Sequence, residues 1–196
     1  MLRAPESGEV SAAVRGWLTV QGYGAVTDGA PPERLSGGVD FWVYGLRFAG
    51  PGLPQRWSAP LVARVPAAAG RYDMLRQDSA VQSWVAARGY LAPEVLTVLA
   101  PGQALPSPVQ VMARVPGVPL ITANGRPWGI PGLMARLGAA HAELHRLGSP
   151  PADVHPGEVP DQWLRLARRL AGSGSGDAGE FAGSLRTIER VLPRIL

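Results

Sequence analysis

A glycine turn and one strand arginine are the residues of this chain whose types and spacing point to phosphate chemistry. Ser36, Gly37 and Gly38 separate two strand-like segments, and Arg64 lies in the apolar segment Leu61–Val65 that follows them. Adjacent glycines let the backbone approach a ligand closely, so that amide N–H groups can point at phosphate oxygens. A cation on the next strand can neutralise the charge of those oxygens. The pattern therefore predicts a nucleotide-phosphate site.

The pattern around Asp78 predicts a partner for this arginine. Residues 72–88 have helical spacing, and Asp78 lies on the same line of that helix as Val81 and Val85. A carboxylate on a buried helix face is costly unless it is paired. We therefore expect Asp78 to form an ion pair with Arg64 and to orient it. A structural ion pair without any nucleotide is the alternative interpretation.

Two histidines, His141 and His145, lie four residues apart on another helical segment, a spacing that zinc sites also use. Glu143 does not adjoin the first histidine, and no third ligand is evident in the sequence. We therefore expect a packed, hydrogen-bonded core pair, and we assign no metal-ligating residues.

Composition indicates a soluble globular protein, with 46% hydrophobic and 17% charged residues in 196. All 19 cations are arginine, and there is no cysteine. Because guanidinium does not deprotonate near neutrality, a pI of about 10.3 follows without a basic patch, and nucleic acid is not an expected partner. The absence of cysteine excludes disulfide and thiolate chemistry. No apolar run approaches the roughly 20 residues of a membrane span, so we expect a cytoplasmic protein without membrane contact.

The elements that must position these residues follow a clear order along the chain. Helical spacing is found over residues 9–21, 72–88 and 130–147, and further helical segments are predicted at 160–171 and 179–192. Five strands are predicted, with one helix inserted after the third strand: a strand ending at Leu35, then Val39–Phe48, 60–65, Val95–Leu99 and Val109–Val115. The sequence therefore predicts an α+β protein, with a five-stranded antiparallel sheet lobe followed by a partial helical lobe.

Several of these segments resemble the aminoglycoside phosphotransferase and choline kinase-like family. The resemblance covers residues 30–147 and is carried by the glycine turn, by Arg64 in its strand, and by Asp78–Pro93, Val111–Gly117 and Leu137–His145. It implies a protein-kinase-like fold and the ATP-dependent phosphorylation of a hydroxyl on a small molecule. ATP or GTP with Mg²⁺ is the implied cofactor, and the acceptor is not identified.

The same resemblance implies roles for individual residues. Ser36, Gly37 and Gly38 would cover the phosphates, Arg64 would neutralise them, and Asp78 would hold Arg64. Main-chain groups near Met112, Ala113 and Arg114 would bind adenine. The family more often has lysine and glutamate where this chain has Arg64 and Asp78, and the two changes in side-chain length compensate each other.

The stretch Asp153-Val-His-Pro-Gly-Glu158 is similar to part of the family's catalytic loop, His-Gly-Asp-x-His-Pro-x-Asn, and makes Asp153 the candidate catalytic residue. It begins only eight residues after His145, however, ahead of the two helices that the family places before that loop. Glu158 also stands where the family has a metal-binding asparagine. We therefore favour a proline-rich loop between helices here and expect the chain alone to be inactive.

The predicted organisation is a nucleotide-binding lobe at residues 1–117 and a partial helical lobe at 118–196 that lacks the catalytic loop. A truncated fragment of a phosphotransferase would have this organisation. The alternative is a degenerate kinase-like module that binds a nucleotide or another protein. Such a module would self-associate through helix faces that are left uncovered.

Overall fold

The computed structural model describes residues 3–35, 40–68, 70–102, 105–117 and 130–150, all within the compact unit Met1–His155. Its helices are α1 (Ser7–Val20), α2 (Gln55–Ser58), α3 (Tyr72–Ala86) and α4 (Ile130–Arg146). Its strands are β1 (Thr27–Asp28), β2 (Glu33–Leu35), β3 (Phe41–Leu46), β4 (Phe48–Ala49), β5 (Leu61–Pro66), β6 (Val95–Leu99) and β7 (Val109–Ala113).

The main sheet has five antiparallel strands in the order β2-β3-β5-β7-β6. The long strand β5 lies in its centre, where Arg64 is opposite Val43 of β3 on one side and Gln110 of β7 on the other. Helix α3 is inserted between β5 and β6 in the chain. The predicted fold class, an α+β protein with a five-stranded antiparallel sheet and one inserted helix, is therefore confirmed.

The hydrophobic core lies between α1 and one face of the sheet. Successive strand residues point to opposite faces, so Leu61, Ala63 and Val65 of β5 share the core face and are each fully buried. Val10, Val14 and Leu18 recur at helical spacing on α1 and are also fully buried. Burial of this apolar area drives α1 onto the sheet. The side chains of Arg64 and its neighbours Val62 and Gln110 consequently belong to the opposite face.

Helix α3 packs on that opposite face, at the end of the sheet formed by β6 and β7. The Gln82 Nε2 atom donates a hydrogen bond of 2.7 Å to the carbonyl of Pro93, just before β6. Leu75 and Val85 are buried on the sheet-facing side of the helix, together with Ser79. Helix α3 thus covers only part of the face on which Arg64 lies.

A second, two-stranded sheet pairs β1 with β4, and the sequence did not predict it. It arises because the expected strand Val39–Phe48 is interrupted at Arg47, after which the chain pairs with residues 27–28. Asp28 of β1 accepts a hydrogen bond from the Ser11 hydroxyl of α1 and lies 3.6 Å from the Arg15 guanidinium. These contacts attach α1 to the small sheet.

Helix α4 confirms the helical prediction for 130–147 almost to the residue. The side chains of His141 and His145 are exposed, so the expectation of a packed core pair is wrong. The predicted helices at 160–171 and 179–192 lie outside the described residues, and the domain boundary at 117/118 stays a prediction. In the part of the chain that the structure describes, no helix combines the length and apolar character needed to cross a membrane.

Candidate functional site

Arg64 is the cation at the centre of the candidate site, and neutral groups hold it. Its Nη1 atom donates a 3.1 Å hydrogen bond to Oε1 of Gln110, the residue directly opposite on β7. The guanidinium carbon lies 4.0 Å from the centroid of the Phe41 ring, a cation–π contact with the start of β3. Arg64 is therefore fixed between an amide and an aromatic ring, and the side chain is half-buried.

Gln110 connects Arg64 to helix α3. Its Nε2 atom donates a 2.8 Å hydrogen bond to the Ser79 hydroxyl, which donates in turn to the Leu75 carbonyl at 2.6 Å. The Gln110 side chain is fully buried, with 0% of its surface exposed. A buried amide is costly unless it is hydrogen-bonded. Both the oxygen and the nitrogen of the Gln110 amide have a hydrogen-bond partner, which explains why this side chain can be buried. Sequence analysis did not predict a role for Gln110, which is a polar residue within an otherwise apolar strand.

The expected ion pair between Arg64 and Asp78 is not formed. Although both residues are described by the structure, no guanidinium nitrogen of Arg64 comes within 4.0 Å of the Asp78 carboxylate, whose side chain is exposed. Helical phase alone does not separate the two groups, because at about 100° per residue Asp78 lies between the directions of the buried residues Leu75 and Val85. Arg64 instead donates its hydrogen bond to Gln110 on the neighbouring strand.

The two groups nevertheless influence each other at longer range. Burial lowers the pKa of the Arg64 guanidinium from its usual value, and the charge of Asp78 offsets part of this effect. Partial burial raises the pKa of Asp78, against the opposing charges of Arg64 and Arg71. Arg71 precedes α3 and lies 4.0 Å from Asp40, which follows the predicted glycine turn. Asp78 is thus a neighbour of the cation site that makes no contact with Arg64.

An apolar strip lies beside Arg64 on the same face of the sheet. The pairing register places Leu35 opposite Val43, and Val62 lies two residues before Arg64 on β5. All three apolar side chains are half-buried. Sequence reasoning treated them only as strand residues. Their alternation with core residues is the signal that could have assigned them to this face.

The backbone at the end of β7 supplies the main-chain donors that could bind a base. The N–H groups of Ala113 and Arg114 donate to the carbonyls of Glu94 (2.8 Å) and Pro60 (3.0 Å). The N–H of Val115 donates to no acceptor among residues 3–35, 40–68, 70–102, 105–117 and 130–150. The family resemblance implied adenine contacts near Met112, Ala113 and Arg114. The Ala113 and Arg114 amides are thus already bonded, whereas the Val115 amide has no acceptor within those ranges.

An ion pair crosses the same face at the level of Gly45, which is paired with Val62 of the apolar strip. The Arg114 Nη1 atom lies 2.8 Å from Oε1 of Glu33, so the pair spans from the end of β7 to β2. It passes over Gly45, where a Cβ atom would lie 2.8 Å from the Glu33 oxygen and 3.3 Å from the Arg114 nitrogen. A glycine is therefore needed at this strand position for the ion pair to form as observed.

Other predicted site residues are not placed. Ser36, Gly37 and Gly38 lie outside the described residues, as does Asp153 with the rest of its loop. Within the described ranges, no three His, Asp or Glu side chains are grouped closely enough to hold a metal ion.

Comparison with models of known protein families identifies a match. The model of the family APH, described as a phosphotransferase enzyme family, matches residues 33–195. No curated protein and no solved structure matches the chain.

Proposed function

From the premise that this chain belongs to the APH phosphotransferase enzyme family, we propose that the sheet face carrying Arg64 binds the nucleoside triphosphate donor of a phosphotransfer reaction. The acceptor would be a hydroxyl group of a small molecule. ATP or GTP would lie along the half-buried face that α3 leaves uncovered, with the base towards the end of β7 and the phosphates towards Arg64.

The base would contact the apolar strip. Leu35, Val43 and Val62 offer a half-buried surface of the kind on which a planar ring packs well. The Val115 amide would donate a hydrogen bond to a ring nitrogen at the edge of the base, as a main-chain group can do without any particular side chain. Met112, nearly fully buried, would close the inner end of the pocket.

The phosphates would contact Arg64, and this cation carries the proposal. It is half-buried, its two close contacts are neutral, and no carboxylate among the described residues lies within 4.0 Å of it. A guanidinium in this state is suited to bidentate contacts with phosphate oxygens. The backbone of Ser36, Gly37 and Gly38 would supply additional N–H donors.

Magnesium ions bridge and neutralise phosphate oxygens in phosphoryl transfer. The described residues offer no set of ligands for such an ion. Because Glu158 stands where the family's catalytic loop has a metal-binding asparagine, we propose that the chain by itself binds the nucleotide but does not transfer phosphate at the rates of complete kinases. The catalytic base and the metal ligands would have to come from residues outside those described or from another chain.

A second candidate function is an interaction module, and α4 favours it. Met134, Leu137 and Leu144 are exposed by 57%, 38% and 36% on this helix. Exposed apolar side chains at helical spacing are typical of surfaces that pack against a partner. Concentration-dependent self-association in size-exclusion chromatography would favour this function, and a monomer at all concentrations would count against it.

The proposal is tested by titrating the full chain with Mg-ATP and Mg-GTP and measuring the thermal unfolding midpoint, which a ligand bound only to the native state must raise. We expect saturable stabilisation by at least one nucleotide. Arg64→Met should weaken the affinity about ten- to a hundredfold, since it removes charge-assisted hydrogen bonds. Arg76→Met removes an equal charge from the exposed side of α3 and serves as the control. Equal affinities of the two variants would contradict the proposal.

A further inference from the structure

We propose that Gln110 and Ser79 are positioning residues for Arg64, forming an uncharged relay that fixes the cation relative to helix α3. The inference rests on the proposed function, because it assigns to Arg64 the role of contacting phosphate. It replaces the expected ion pair with Asp78 by three consecutive hydrogen bonds, from Arg64 to Gln110, from Gln110 to Ser79, and from Ser79 to the Leu75 carbonyl.

The direction of the relay is determined by chemistry at each step. A guanidinium can only donate, so the oxygen of Gln110 must face Arg64, and its NH₂ group must then face Ser79. The Ser79 oxygen accepts a hydrogen bond from that NH₂ group, so the hydroxyl proton of Ser79 is left to donate to the Leu75 carbonyl. Each link admits one arrangement only. The relay therefore holds Arg64 in one orientation instead of several.

The location of Gln110 indicates that its role is to orient Arg64. It lies between Val109 and Val111 in a central strand and is fully buried. A set of apolar side chains of similar size at positions 64, 79 and 110 would fill the same space without polar groups to satisfy, and replacing both partners of a buried hydrogen bond in this way is often nearly neutral for stability. The fold therefore does not require an amide here. The cation directly opposite on β5 gives the amide a function.

The neutrality of the relay distinguishes it from an ion pair. A carboxylate in contact with Arg64 would orient the guanidinium but would also neutralise much of its charge. An amide orients it and leaves the charge for an anionic ligand. Because Ser79 lies on α3, a displacement of α3 from the sheet would break the bond between Gln110 and Ser79 and leave the Gln110 amide free to turn away from Arg64.

A double-mutant cycle on nucleotide affinity tests the relay. Affinity for Mg-ATP, or for Mg-GTP if that is the nucleotide bound, is measured by calorimetry for the full wild-type chain, Gln110→Leu, Arg64→Met and the double variant. We expect Gln110→Leu to weaken binding about tenfold when Arg64 is present and to have no further effect, within about twofold, when Arg64 is absent. Tyr44→Phe is the control, because it removes a buried hydrogen bond from the opposite face of the same sheet. It should lower the unfolding midpoint and leave the affinity unchanged.

The outcomes separate the relay from the proposed function. If Arg64→Met weakens binding but Gln110→Leu does not, the relay is wrong while the nucleotide site stands. If Gln110→Leu weakens binding equally in both backgrounds, Gln110 does not act through Arg64, and the relay is again wrong. If Arg64→Met itself has no effect, or if the wild-type chain binds neither nucleotide, the proposed function fails and the relay with it. Should Gln110→Leu not fold, Ser79→Ala replaces it in the same cycle with the same expectations.

Discussion

Replacing Asp78 with asparagine distinguishes the ion pair expected from the sequence from the relay seen in the structure. Removing one partner of a buried ion pair costs about 3 to 5 kcal/mol, because an uncompensated charge is left behind. In the structure, however, Asp78 is exposed and has no contact with Arg64. A substitution at such a position usually changes the free energy of unfolding by no more than about 0.5 kcal/mol.

The sign of the change follows from the pKa of Asp78. Although much of the Asp78 side chain is exposed, its partial desolvation raises this pKa above the value in the unfolded chain, so the folded protein binds the proton more tightly. The stability that results is fully present below the unfolded pKa and is lost as the pH rises through the raised, folded pKa. At pH 7 the wild-type protein has lost this contribution. Asp78→Asn, which does not titrate, should therefore be as stable as the wild type or slightly more stable at pH 7, and its relative advantage should shrink towards acid pH.

The measurement is urea unfolding of both proteins across the acid-to-neutral range. Asp73→Asn is a matched control on the same helix, because Asp73 lies in the first turn of α3 and its charge interacts favourably with the helix dipole. This control should lose about 0.3 to 1 kcal/mol at pH 7. A loss of about 3 kcal/mol or more for Asp78→Asn would refute the reasoning and restore the ion pair.

Two further predictions concern other parts of the sheet. Tyr44→Phe should lower the free energy of unfolding by about 1 to 2 kcal/mol, measured by urea titration, because the buried Tyr44 hydroxyl donates a 2.6 Å hydrogen bond to the Pro5 carbonyl; no loss would mean that water replaces this bond. Gly45→Ala should displace the ion pair between Glu33 and Arg114 and cost less than about 1 kcal/mol, after which Glu33→Gln should have no further effect in the same assay. An undiminished effect of Glu33→Gln in the Gly45→Ala background would show that the ion pair does not pass over this residue.

The sheet could be predicted because its signals are local. The alternation of Leu61, Ala63 and Val65 with Val62 and Arg64 is visible in the sequence, and proline and glycine mark the ends of most strands. The two-residue strands β1 and β4 are too short to have any periodicity. They pair because the chain after Arg47 meets residues 27–28 in space, which no local pattern encodes.

The centre of the site was only half predictable for a related reason. Arg64 is noticeable as the one charge in an apolar strand, but its hydrogen-bond partner Gln110 comes from a strand much later in the chain. Apolar spacing marks the side of α3 that packs on the sheet, where Leu75, Ser79 and Val85 are buried, but it does not show which side chain reaches Arg64. The buried Ser79 hydroxyl donates to the Leu75 carbonyl and accepts from Gln110. Gln110 and Ser79 are far apart in the sequence and satisfy each other's hydrogen-bonding groups in the interior. Neither residue taken alone indicates from the sequence that it is buried.

The neutral groups that contact Arg64 also affect which dissolved anions bind to the protein. A half-buried guanidinium with no carboxylate of the described residues in contact attracts small dissolved anions, and sulfate, inorganic phosphate or pyrophosphate can accept two hydrogen bonds from it. Such anions act as competing ligands, so their effect follows their own affinity and concentration instead of the ionic strength alone. Protein handled in phosphate buffer would then bind nucleotide less tightly than the same protein in an amine buffer with chloride.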